Sequence, residues 1–330
     1  MYDIITFGSA TQDVFMSSSE FQVVEDEKFT TKKGLCVPLG SKMHMEQVFF
    51  AMGGNGANTA CTFAEQGLKT AYFGLIGRDL PGKGVKDELS KYNVSLELIK
   101  EIEEYPTSYS VILSLPEVGR TILEKLGASH QLKEENIDFD KLKAEWFFVS
   151  SMSGNSSGAF ESLINFACDN KIKVAVNPGK TQLTKDLEVL RSLLGKIDIL
   201  ILNKEEAAKL TGLDFTEEKE IFKKLNEQVG GIVVMTKGPE GVVVSDGKDI
   251  YSAGIPESGM VDRTGAGDAF GSAFVAGWIE KGDISYAIQL ATANATSVLQ
   301  KIGATSGLLK KGEWGKWEKI SVNMSDISKF

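Results

Sequence analysis

Short apolar runs, each closed by a polar or glycine-rich exit, set the rhythm of this chain. Ile4-Ile5-Thr6-Phe7 stops at Gly8 and gives way to a polar stretch, Ser9 to Asp13. The same form returns at residues 68–76, 146–149, 172–176, 197–202 and 231–236, and each run reads as a strand. The runs are nearly continuous in apolar residues rather than alternating, as expected of strands covered on both faces. Between them, apolar positions recur at helical spacing over 57–66, 82–92, 160–170, 187–194, 207–210 and 218–228. Strand, exit loop and helix in repetition predict a mostly parallel sheet with helices on both faces. Around 242–244 and 250–251 the runs shorten, which predicts a terminal antiparallel section. Residues 267–281 and 286–300 then read as two helices, their many alanines allowing close packing on the sheet.

One stretch breaks the rhythm. From 15 to 52 the apolar pairs Val23-Val24, Leu35-Cys36 and Phe49-Phe50 are separated by charge and glycine, predicting a small antiparallel sheet or lid. Residues 109–113 and 120–123 add strands to it, with Pro116 and Gly119 favouring the turn between them. The expected organisation is therefore a main domain of 1–14, 53–104 and 125–330, with a discontinuous lid of 15–52 and 105–124.

The chemistry concentrates where glycine meets a helix. Gly265-Ala266-Gly267 reads as the turn entering the 267–281 helix, with Asp268 at the join. The first N–H groups of a helix lack helical partners, and together with the helix dipole they favour an anion. A carboxylate beside them can face a substrate hydroxyl while the N–H groups face a transferring phosphoryl group. A capped turn with no ligand is the competing reading of this segment alone. At Met52 to Ala60, glycines again permit close backbone approach, and Asn58 offers both donor and acceptor to a hydroxyl. Asp13 can accept from hydroxyls or form an Asx turn.

Composition removes other classes. Of 330 residues, 42% are hydrophobic and 25% charged, as in a globular chain, and the net charge of -9 argues against a nucleic-acid surface. Three separated cysteines suggest buried small hydrophobes in a reducing compartment rather than a disulfide framework. Only His44 and His130 are present, too few for a zinc cluster. No basic leader with an apolar core opens the chain and no apolar run reaches membrane-spanning length, so a cytoplasmic protein without a membrane partner is expected. Gly179-Lys180-Thr181 looks like the end of a P-loop, but position 174 is Val and the motif is rejected.

Taken together the motifs resemble one family. Residues 53–82 resemble the first signature of PfkB-type carbohydrate kinases, the ribokinase-like group, and Asp262-Arg263-Thr264-Gly265-Ala266-Gly267-Asp268 looks like the second. Asn203-Lys204-Glu205-Glu206 is similar to the intervening metal and phosphate motif. The resemblance implies a ribokinase-like three-layer α/β/α sandwich with a small β lid, and ATP-dependent phosphorylation of a sugar-like alcohol. It implies Asp268 as base, with Gly265, Ala266 and Gly267 as anion hole, and Asp13, Gly53, Gly54 and Asn58 on the acceptor. It further implies Asn203, Thr236, Gly238, Arg263 and Asn294 on the nucleotide, with Asn203 and Glu206 organising Mg²⁺. Asp262 and Thr264 stand where some members hold K⁺ or another monovalent cation. A nucleoside or an anionic sugar acid as acceptor stays open, the latter with Arg120 as a contributor, as do a homodimer through the lid and an inactive sugar- or nucleotide-binding regulator.

Overall fold

A computed structural model describes residues 1–29, 31–115 and 119–327, so Pro116 lies outside the described residues. In chain order the main elements are β1 (Tyr2–Phe7), β2 (Thr11–Ser17), β3 (Gln22–Glu25), β4 (Lys33–Cys36), β5 (Gln47–Gly53), α1 (Asn55–Glu65), β6 (Thr70–Gly77), α2 (Leu80–Lys91), β7 (Ile99–Ile102), β8 (Ser108–Leu115) and β9 (Gly119–Lys125). They continue with β10 (Ala144–Ser150), α3 (Ser157–Asp169), β11 (Lys173–Asn177), α4 (Leu187–Leu193), β12 (Ile199–Asn203), α5 (Lys204–Thr211), α6 (Glu218–Gln228) and β13 (Ile232–Thr236). The last are β14 (Val242–Ser245), β15 (Asp249–Ala253), α7 (Ala266–Lys281), α8 (Ile284–Leu299) and β16 (Asn323–Asp326).

Among the described residues the large sheet has ten strands in the order β16-β15-β14-β13-β12-β11-β10-β1-β6-β7. From β7 to β13 neighbouring strands are parallel, and β14, β15 and β16 close one edge antiparallel. Alternate side chains of one strand enter different cores. Phe147 and Val149 of β10 and Leu200 and Leu202 of β12 pack on one face with residues of α3 to α6. Phe148, Ile199 and Ile201 point the other way, onto Phe63 of α1 and Phe270 and Phe274 of α7. The expected three-layer sandwich follows from that two-residue period.

The chain leaves β1 in opposite directions, through β6 and β7 on one side and through β10 to β13 on the other. A doubly wound sheet opens a crevice at the carboxyl ends of the strands where its order reverses. Here that point lies between Gly8, after β1, and Ser151, after β10.

The lid is a second sheet of order β5-β2-β8-β9. Its strands overrun the segments expected for it, beginning at Thr11 and reaching Gly53 and Lys125. Asp13 accordingly sits within strand β2, paired with Ala51 and Ser110, rather than in a polar exit. Pro81 and Gly82 lie in the first turn of α2, where Asp79 caps the helix by accepting from Gly82 N–H at 2.8 Å. Cys61 is buried as expected, but Cys36 and Cys168 are exposed. Among the described residues no helix is long and apolar enough to cross a membrane.

Candidate active site

The glycine-rich turn and the start of α7 form one end of the site. Gly265 caps the helix in the left-handed region at φ 76°, and its carbonyl accepts the Ala269 N–H at 2.8 Å. A side chain there would be strained by φ and would also meet Ala304, whose Cβ lies 2.3 Å from a built Cβ position. Glycine is thus required twice over at the point that aims the first N–H groups of α7.

Asp268 lies in the first turn of α7 and is half-buried. Burial raises its carboxyl above the usual range, opposed by one hydrogen bond. The donor is Asn58, whose Nδ2 lies 2.9 Å from Asp268 Oδ2. Asn58 belongs to α1, and its own Oδ1 is buried without a protein partner. That bond joins the two glycine-rich stretches, which are far apart in sequence.

Asp13 faces the same region from β2. Burial pushes its carboxyl up from 3.8 to about 6, reinforced by Glu124 and Asp262 and opposed by the Ser110 hydroxyl and Arg120. Gly53 leaves the room it needs, because a Cβ there would stand 2.0 Å from Asp13 Oδ2. Gly54 caps α1. Beside it, Asn55 Oδ1 accepts from Ser9 N–H at 2.8 Å and Gly56 N–H at 2.7 Å, and its Nδ2 donates to Ser151 O at 3.1 Å. Asn55 therefore ties the ends of β1 and β10 to α1 at the switch point. A polar cavity of about 190 Å³ opens there, lined by Ser9, Asn55, Glu124, Ser129, His130 and Ser153. Burial holds the His130 imidazole below its ordinary value, although Glu124 acts in the opposite sense. Sequence reasoning did not single out Asn55, Glu124 or Ser129, and it read His130 only as one of two histidines, too few for a zinc cluster. Their meeting depends on contacts between distant segments.

On the other side of the α7 N-terminus lies a larger, mainly apolar cavity of about 670 Å³. Thr236, Gly238, Arg263, Ala266 and Gly267 line it, with Pro239, Ile255, Phe270 and Leu299 as apolar walls. Asn203 ends β12 beside Thr236 of β13. Its Oδ1 accepts from Glu206 N–H at 2.9 Å, while Glu206 Oε2 accepts from Asn203 N–H at 2.8 Å, a reciprocal cap on α5. Burial raises the Glu206 carboxyl. Among the described residues no cluster of three or more His, Cys, Asp or Glu could hold a metal. One buried-side carboxylate without such a cage fits Mg²⁺, which retains water and is carried largely by phosphate.

One expectation about this region needs correction. Asn294 does not line that larger cavity. It is fully buried, with Nδ2 donating to Ala269 O at 3.0 Å and Oδ1 accepting from Leu309 N–H at 2.9 Å. It braces α7 against the segment after α8, and Thr292, Ala295 and Thr296 line the cavity instead. The Asp262 carboxylate and the Thr264 hydroxyl, expected beside a monovalent cation, both accept from the Arg120 guanidinium.

The comparisons agree with this architecture. The family model described as pfkB family carbohydrate kinase matches residues 22–311. A ribokinase of Haemophilus influenzae is 28% identical over 268 residues, covering 80% of this chain and 86% of that protein. Arabidopsis thaliana ribokinase, solved with ribose and ATP, superposes with a TM-score of 0.77 at 21% identity, covering 94% of this chain and 96% of its own. A Methanocaldococcus jannaschii nucleoside kinase gives 0.76 at 20% identity over the same shares, 94% and 96%. A match over most of the sequence, on a doubly wound sheet with a polar cavity at its switch point and a larger one beside the α7 N-terminus, leaves one assignment: the chain belongs to the pfkB family of carbohydrate kinases, ATP- and Mg²⁺-dependent phosphotransferases that act on an alcohol group.

Proposed function

We propose that this kinase phosphorylates a neutral, polyhydroxylated sugar, with Asp268 as general base and Gly265, Ala266 and Gly267 as anion hole. The observation that carries the reading is the Asn58–Asp268 hydrogen bond of 2.9 Å. It links the phosphate end of the site to the acceptor loop and leaves Asn58 Oδ1, buried and without a protein partner, to accept from a hydroxyl. Asp13, supported by Gly53 and Gly54, accepts from further hydroxyls and sets the attacking oxygen in register with Asp268. Asp268 takes the hydroxyl proton as that oxygen attacks, and the N–H groups of the α7 turn receive charge on the transferring group. Thr236, Gly238 and Arg263 line the nucleotide side, Asn203 and Glu206 steady the metal's waters, and Mg²⁺ when bound neutralises charge between phosphates. The main domain of 1–14, 53–104 and 125–330 carries this machinery, and the lid of 15–52 and 105–124 excludes water from it.

Charge decides between acceptors. Asp13 and Glu124 bring carboxylates to the acceptor face, burial disfavours the charged form of His130, and the Arg120 guanidinium is engaged by Asp262 and Thr264. Arg263, which also lines the cleft between lid and main domain, is assigned to the phosphate side, so the acceptor face favours a neutral sugar over an anionic sugar acid. A nucleoside has one observation in its favour, the cleft of about 960 Å³ between lid and main domain whose walls include Phe15, Phe49, Met260 and Ile302. Such walls suit a base.

The deciding experiment measures Mg²⁺-dependent ADP release together with phosphorylated product over neutral sugars, sugar acids and nucleosides, at several pH values. Neutral sugars are expected to give the highest kcat/KM. The folded-state pKa of Asp13 lies above its unfolded value, so its stabilising contribution exists at low pH and fades as pH rises through about 6. The ionised form that accepts from hydroxyls gains over the same window, and kcat/KM for the acceptor should fall as pH drops below it. A nucleoside preference, or a profile flat through that window, counts against the sugar reading. ADP release without any phosphorylated product identifies a binding protein instead.

We extend the reading to a homodimer through the lid. On the lid face opposite Asp13, Val48 and Phe50 of β5 and Leu123 of β9, the two edge strands of that sheet, are 49%, 62% and 55% exposed. A second copy of the same apolar strip is its natural cover. Light scattering should find a dimer that Phe50→Asp dissociates; a wild-type monomer at all concentrations refutes the pairing.

A further inference from the structure

Arg120 stands at the start of β9, on the same lid face as Glu124, because four residues separate them along one strand. Its Nη1 donates to Asp262 Oδ1 and to Thr264 Oγ1, both in the loop that enters α7. Asp262 gathers more than this. Its Oδ1 also accepts from Thr264 N–H at 3.1 Å and from the Thr264 hydroxyl at 2.8 Å, and its Oδ2 accepts from Gly303 N–H at 3.1 Å. Both carboxylate oxygens are thus engaged, and the side chain is only 10% exposed, against 33% for Arg120. Thr264 is followed directly by Gly265, whose left-handed turn aims the N–H groups of α7. One carboxylate and one hydroxyl therefore connect a guanidinium on the lid to the backbone expected to receive the phosphoryl group.

The charges around this connection are lopsided. Asp13, Glu124 and Asp262 lie close enough that both of the latter raise the Asp13 carboxyl, whereas Arg120 lowers it. A cation held by Asp262 at this point offsets the mutual repulsion of three carboxylates. A planar guanidinium does so with directed donors, which fix the loop's geometry as well as its charge.

We infer that Arg120 is a positioning residue for phosphoryl transfer: from the lid, it holds Asp262 and Thr264 so that the Gly265 turn keeps its working shape. Arg120 does not touch the reacting atoms. It makes the anion hole depend on the lid, so that acceptor closure and phosphate binding reinforce each other. It also takes the place that a small cation would otherwise find, since a carboxylate and a hydroxyl oxygen converging on one point are the donors a hard cation uses. Turnover of the native protein should then be indifferent to K⁺. The inference rests on the anion-hole role proposed for Gly265, Ala266 and Gly267.

The test compares wild type, Arg120→Ala and Arg120→Lys in buffer free of alkali cations, then with added KCl or guanidinium chloride. Arg120→Ala is expected to lower kcat by about tenfold or more while leaving KM for ATP and acceptor within a few-fold, as befits a device acting only on transition-state geometry. Added K⁺ or guanidinium should restore part of that loss, and neither should change the wild type. Arg120→Lys, keeping charge without the fork, should fall between the two and respond less to K⁺. Turnover of Arg120→Ala close to wild type overturns the inference. So does a loss that neither cation repairs, which marks Arg120 as merely structural, and so does a wild type that requires K⁺. The anion-hole reading fails separately, if Gly265→Ala retains full turnover whatever Arg120 does.

Discussion

Asp268→Asn is expected to fold, to bind ATP and acceptor, and to lose at least about two orders of magnitude in kcat, the usual share of a positioned base. The amide is nearly isosteric with the carboxylate, and its oxygen can accept the Asn58 Nδ2 hydrogen bond now made at 2.9 Å. Burial raises the Asp268 carboxyl, so the ionised form is disfavoured in the folded protein. Its contribution to stability is accordingly present below the ordinary carboxylate range and lost as pH rises through the raised value. At neutral pH the amide should therefore leave the melting temperature unchanged or raise it. A structural role for the carboxylate predicts the reverse, lower stability with turnover preserved. The raised value also makes Asp268 a stronger base once ionised, and activity should decline as acid protonates it. Steady-state kinetics and thermal melts on one preparation separate the cases, and near-normal turnover in the amide variant removes Asp268 from the base role.

What the sequence could disclose divides along contact range. The helix expected at 218–228 ends on the same residues as α6, because its apolar positions Ile221, Phe222 and Leu225 repeat at helical spacing and bury one face. The parallel strands were legible because each is apolar on both faces. Edge strands were not: β7 carries a mixed sequence, Ile99 to Ile102, and β16 is wholly exposed, so neither has a period to read. Asn294 misled for another reason. In the run of alanine and threonine from Ala291 to Thr296, nothing local tells which side faces a cavity, and the buried bonds to Ala269 and Leu309 decide it.

The same division runs through the candidate site. Asp268 and the Gly265 turn could be found because a helix start carries its own signal. Asn58 could be named, but its bond to a helix over 200 residues further along could not. Arg120 was read as a contact for an anionic acceptor, since a lone arginine on a lid strand advertises only its charge. Its partners Asp262 and Thr264 lie on the loop entering α7, brought within reach by the lid sheet. Ligand-facing groups were therefore legible where backbone geometry demanded them, and obscure where side chains from separate segments had to meet.

Gly265→Ala should cost turnover as heavily as loss of the base, and by a separable route. Alanine at φ 76° carries strain of about 1–2 kcal/mol, and its Cβ would stand 2.3 Å from Ala304 Cβ and 2.6 Å from Ala304 Cα. The turn must move, and with it the carbonyl that accepts Ala269 N–H at 2.8 Å and begins the helix. Misaligned donors forfeit charge stabilisation in the transition state, a loss of about 10²–10³ in kcat for one donor in comparable sites. The apolar walls of the cavity proposed for the nucleotide, Pro239, Ile255 and Leu299, are untouched, so KM for ATP should change far less than kcat. A second substitution splits the cause: Ala304→Gly in the Gly265→Ala background removes the Cβ contact and leaves the left-handed strain. Partial recovery of kcat is expected, because the contact with the Ala304 backbone and the unfavourable φ both remain. Full recovery would assign the whole effect to the side-chain clash, while Gly265→Ala turning over at the native rate would show that the turn does not hold the phosphoryl group.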